Sequence, residues 1–130
     1  MAARILGWLG LLGLCAAYLQ GGLNKLLDIP GGVAEAEHFG LPLPLAVTIA
    51  TIVLELGASA LILSGRWRWL GALALGVFTL AATGIALRYW EMPPGMPRFM
   101  AANAFYEHLG LAGAFLLVAL HDLGRLPQRA

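Results

Sequence analysis

The sequence predicts an all-α integral membrane protein, an antiparallel four-helix bundle in a single domain over residues 1–130. Composition is the first ground. Of the 130 residues, 60% are hydrophobic and 12% are charged, against about 25% charged in soluble domains. Mean hydropathy is +0.81. Segmentation is the second ground. A spanning helix needs roughly 20 mainly apolar residues, and the runs 5–27, 45–64, 69–90 and 101–121 qualify. The third ground is the link "GRWR", 65–68. It is so short that the second and third runs must be antiparallel neighbours.

The first run opens with Arg4 and a leucine-rich stretch, as a signal peptide would. It then continues through Tyr18, Gln20 and Asn24 without a small-x-small cleavage site, and Leu14 spoils a lipoprotein box before Cys15. Its length favours a retained membrane helix. Gly10, Gly13, Ala17, Gln20 or Gly21, and Asn24 make a stripe of small and amide residues. Packing against another helix accounts for the glycines, and the amides can bond across such an interface. Lys25 either snorkels to water or pairs with an acid.

The second run contains "TIVLELGASALIL", 51–63, with a lone carboxylate, Glu55. A charge at the bilayer centre costs about 2.5–3.5 kcal/mol on insertion scales. Thr48, Thr51, Glu55 and Ser59 recur by threes and fours and share one helix face. That face is expected to point into the bundle, with Glu55 in reach of Lys25, Gln20 or Asn103.

The third run offers Thr79 and Thr83 on one face and Arg88 near its end. In the fourth, Asn103, Glu107, Gly110 and Ala114 share a face bordered by Tyr106. His108 is turned about 100° from Glu107. The connection 28–44 carries Asp28, Glu35, Glu37 and His38. The connection 91–99 holds Pro93, Pro94 and Pro97 and is expected to be stiff and non-helical.

Arg4, Arg66, Arg68, Arg125 and Arg129 fall on one side, and Lys25, Arg88 and Arg98 on the other. The positive-inside rule then places both termini in the cytoplasm of a multi-pass cell-membrane protein. Trp67 and Trp69 mark one interface, and Tyr89, Trp90 and Phe99 the other. In this topology Gln20, Asn24, Lys25, Arg88, Asn103, Tyr106 and Glu107 lie in the outer half, with Glu55 near the middle. One outward-opening pocket floored by Glu55 would collect them. The alternative is a set of unrelated interface residues.

Some functions are disfavoured. A net charge of +1 leaves no broad basic surface for nucleic acid. One cysteine cannot form an internal disulfide, and Cys15 deep in an apolar helix reads as an inert small hydrophobe. His38, His108 and His121 are scattered, no metal site is expected, and no HExxH, GxGxxG or phosphate loop occurs.

Several segments resemble the DoxX family. "GGLNKLL" resembles the ending of that family's first helix, and "FGLPLP" the loop before its second. "LELGASALILSGRWRWLGALALG" is similar to its second-helix and turn core, and "NAFYEHLGLAGAFLLVAL" to its last helix. The order and spacing hold over nearly the whole chain. The resemblance implies a four-helix inner-membrane protein tied to oxidoreductase systems. These include a thiosulfate:quinone oxidoreductase subunit and a membrane complex with superoxide dismutase and a sulfurtransferase. Lys25 stands at the family's first-helix lysine and Glu55 at its second-helix glutamate. Arg68, with Arg66 nearby, stands close to its post-turn arginine.

The first functional expectation is therefore a quinone-binding subunit of a membrane oxidoreductase, without a redox metal of its own. Glu55 and Glu107 are its candidate catalytic, proton-relaying residues. Gln20, Asn24, Lys25, Arg88, Asn103, Tyr106 and His108 are its candidate ligand-binding residues. Quinone is the expected cofactor. The expected partners are the lipid membrane and a redox protein or further copies of the chain. Two other classes stay open: a non-enzymatic assembly subunit, and a small proton-coupled transporter with Glu55 as the exchanging site.

Overall fold

The computed structural model describes residues 1–125; Arg129, used in the orientation reading, lies outside them. Helix α1 spans Ala2–Leu27, α2 Ile29–His38, α3 Pro44–Ser64, α4 Arg68–Ala86 and α5 Met96–Asp122. A single 3₁₀ turn, Tyr89–Glu91, joins the last two. There is no strand among the described residues. Four helices, α1, α3, α4 and α5, are long and apolar enough to cross a membrane.

These four form the bundle. Helix α1 packs on α3, α3 on α4, and α4 on α5, while α2 lies across α3. The core joins Cys15 and Tyr18 of α1 to Ala58 and Ile62 of α3, Ala72 and Leu75 of α4, and Phe115 and Ala119 of α5. Tyr18 closes the ring. Its side chain meets Phe115 edge-on at 5.3 Å and Phe78 at 6.4 Å between centroids. Its hydroxyl bonds to Thr79, so the buried polar atom is satisfied.

The α3–α4 turn is built from residue-specific bonds. Gly65 takes φ +82° and ends α3 in the left-handed cap that glycine adopts without strain. Arg68 then donates from Nε to the Ile62 carbonyl at 2.8 Å, satisfying an orphan acceptor at the helix end. Asp122, at the far end of α5, accepts the Trp69 N–H through Oδ2 at 2.9 Å and so caps α4 from across the bundle.

Close approach of α3 and α4 depends on Gly71. A Cβ there would lie 2.6 Å from the Ala58 carbonyl oxygen and 3.1 Å from Leu61 Cβ. The nearest obstacle is backbone, which cannot rotate aside. Gly71→Ala is expected to destabilise the bundle by about 1–3 kcal/mol, as overpacking does. Denaturant titration in detergent would measure it, and an unchanged midpoint would contradict the close approach.

One connection holds an additional helix, and the other departs from the expectation. The segment 28–44 contains α2, because the Asp28 side chain accepts the Gly31 N–H at 3.1 Å and Pro30 sits in the first turn. The segment 91–99 is helical from Met96 onward. Pro97 falls in the first turn, where its missing N–H would have had no partner and its fixed φ suits a helix.

Candidate functional site

Glu55 is buried between α1 and α3, with its side chain 6% exposed. Two glycines admit it. A Cβ at Gly21 would stand 3.0 Å from Glu55 Oε2, and one at Gly22 would stand 3.2 Å from Glu55 Cβ. Lys25, one turn further along α1, donates from Nζ to Glu55 Oε1 at 3.2 Å. Its side chain is 22% exposed. The ammonium also lies in the last turn of α1, where the helix dipole favours positive charge. A charge-assisted hydrogen bond therefore offsets much of the desolvation of both groups.

Lys25 stands at the junction of two cavities. An apolar one of about 330 Å³ lies between α2, α3 and α4, with Phe39, Val47, Phe78 and Ile85 in its walls and Lys25, Glu35, Thr48 and Thr51 as polar lining. A polar one of about 350 Å³ is lined by Asn24, Lys25, Asp28 and Glu35. The Thr48 and Thr51 hydroxyls donate to the Pro44 and Val47 carbonyls, each at 2.8 Å. Their oxygens keep lone pairs and can still accept. The apolar compartment thus holds one cation, the Glu35 carboxylate, hydroxyl acceptors and aromatic walls.

The structure brings together some of the candidate residues. Lys25 touches Glu55, and Asn24 lines the polar cavity beside them. Gln20 is exposed and lines neither cavity. Arg88 donates from Nε to the Gly84 carbonyl at 2.7 Å and pairs with Glu91 at 3.6 Å, on the surface. Asn103, Tyr106 and Glu107 are exposed on α5. His108 faces the other way, with Nδ1 2.9 Å from the buried Thr83 hydroxyl. Helix α5 therefore turns His108, Phe115 and Ala119 toward α4 and leaves its Asn103–Glu107 stripe outside. The single pocket expected for all these residues is divided, and Glu55 meets Lys25 without Gln20 or Asn103.

Glu35 was absent from the sequence-derived candidates, yet it borders both cavities. A signal for it does exist. Asp28 as N-cap and Pro30 in the first turn start a helix whose buried positions, Gly32 and Ala36, flank Glu35.

Four helices able to cross a membrane, a Lys25–Glu55 pair between α1 and α3, and the short α2 laid across α3 define a small multi-pass membrane protein with a polar site between its helices. The chain belongs to the DoxX family, whose model matches residues 9–90. It is 30% identical to Inner membrane protein YphA of Escherichia coli (strain K12) over 105 residues, covering 81% of this chain and 74% of that protein. No solved structure matches it.

Proposed function

We propose that the chain is an inner-membrane subunit of an oxidoreductase system that binds a quinone, or a similar small apolar carbonyl compound, between α2, α3 and α4. The observation behind this reading is the position of Lys25, whose ammonium borders an apolar cavity while held by Glu55. A ring would lie between Phe39 and Phe78, with a carbonyl oxygen accepting from Lys25. The cavity, about 330 Å³, falls at the small end of the range for ligand pockets. Reducing a quinone takes two electrons and two protons. A redox partner protein supplies the electrons. The Lys25–Glu55 pair, next to the polar cavity, is placed to pass protons.

The test is extraction of the protein purified in mild detergent, followed by mass spectrometry, with a short-chain ubiquinone titrated onto the emptied protein. Bound quinone is expected. Lys25→Met is expected to weaken binding about tenfold or more, the effect of losing a hydrogen bond from a charged donor. Absence of quinone together with no binding of the short-chain form would rule the reading out.

The proposed orientation puts both termini in the cytoplasm and α2 outside. In a Cys15→Ala background, an impermeant thiol reagent applied from outside should label Glu37→Cys and spare Arg66→Cys; both positions are exposed. The reverse pattern would invert the topology.

A second reading, an assembly subunit, is favoured by one observation. Asn103, Tyr106 and Glu107 lie exposed on a membrane-crossing helix, and polar groups at such positions normally face protein or a water-filled cavity. Crosslinking from Asn103→Cys to another chain would support it.

A further inference from the structure

We propose that the end of the bundle carrying the N-terminus of α1 and the C-terminus of α5 holds one anionic phospholipid in a groove between those helices. The groove has a volume of about 680 Å³ and lies at the opposite end from the Lys25 compartment. Arg4, Arg68 and His121 line it near the chain ends, and Leu11, Leu117 and Val118 line it further in. Arg4, Gly7 and Leu11 recur along one face of α1, and Leu117, Val118 and His121 along one face of α5. Polarity therefore falls along the groove from basic to apolar. That gradient matches a phospholipid, phosphate at the interface and acyl chain toward the bilayer middle.

The basic groups are available for an anion. Arg68 uses Nε on the Ile62 carbonyl, and that bond fixes the side chain while leaving its terminal nitrogens able to donate. Trp8 gives its indole N–H to the Leu63 carbonyl at 3.1 Å, which orients the ring as an apolar wall. Among the described residues no carboxylate lines the groove. Asp122, next to His121, has Oδ2 engaged by the Trp69 N–H. Free phosphate shares the headgroup chemistry, but it would leave Leu11, Leu117 and Val118 facing an unfilled space. The apolar half of the groove commits the site to a lipid. Basic pockets between membrane helices hold anionic headgroups by the same physics.

The experiment is native mass spectrometry of the full chain in detergent with equimolar phosphatidylglycerol and phosphatidylcholine. One phosphatidylglycerol is expected to be retained preferentially. Arg4→Gln should lower that retention roughly fivefold, the worth of one arginine at a membrane surface. Gly7→Phe should expel the lipid with the charges intact. A Cβ at Gly7 meets nothing within 4 Å, so the larger side chain enters open space. Melting in phosphatidylcholine alone checks that both variants fold, and Arg4→Gln decides if Gly7→Phe does not. Equal retention of the two lipids, or full retention by folded variants, would overturn the proposal. Displacement of phosphatidylglycerol by millimolar inorganic phosphate would also overturn it, by showing that the groove reads phosphate alone.

Discussion

Lys25→Met is expected to destabilise the bundle by about 3–5 kcal/mol, the range for removing one partner of a buried ion pair. The reason lies with Glu55. Its side chain is 6% exposed and its only charged partner among the described residues is Lys25, 3.2 Å away. Without the ammonium, the carboxyl group stays packed against Gly21 with no other charged partner among the described residues. Because Lys25 is itself 22% exposed, water can partly replace it, and the loss should fall toward the lower end of the range. Lys25→Met combined with Glu55→Leu should recover most of it, since replacing both members of a buried pair with apolar groups is often neutral or stabilising. Glu55→Gln keeps the shape and should spare folding while impairing ligand binding if the charge acts there. Unfolding titrations of the variants in one detergent give the comparison. Lys25→Met as stable as the parent would show that the pair is not what holds α1 to α3.

Phe115→Ala is expected to cost about 3 kcal/mol, the lower end of the range for truncating a buried aromatic. Phe115 is fully buried. It meets the Tyr18 ring edge-on, and a Cβ at Gly76 would lie 3.4 Å from its own Cβ. Lipid tails are as apolar as the core, so little of this loss is transfer to solvent. It comes from the cavity left beside Tyr18 and from broken packing between α1, α4 and α5. Leu116, the next residue, is half exposed, and Leu116→Ala should change stability by about 0.5 kcal/mol or less. The difference between these neighbours in thermal or denaturant unfolding isolates the packing term. Equal effects would mean that α5 is rotated from the position described.

By itself the sequence determined the number and antiparallel order of the spans. Run length and the four-residue link decide both, through the thickness of the bilayer and the reach of a short turn. It also pointed Glu55 inward, through the stripe it shares with Thr48, Thr51 and Ser59 together with the cost of a carboxylate in lipid, and Lys25 was among the partners it offered. The face of α5 that turns inward was decided only by the tertiary structure. In a soluble protein water selects the polar face as the outside. In a membrane, lipid and core are equally apolar, so shape and contact choose instead. Phe115 and Ala119 fit against α4 and Tyr18, and His108 reaches Thr83, so Asn103 and Glu107 turn outward. The placement of α2 over α3 likewise came only from packing. A ten-residue helix carries too little local stability to declare itself, and its docking is what brings Glu35 beside Lys25.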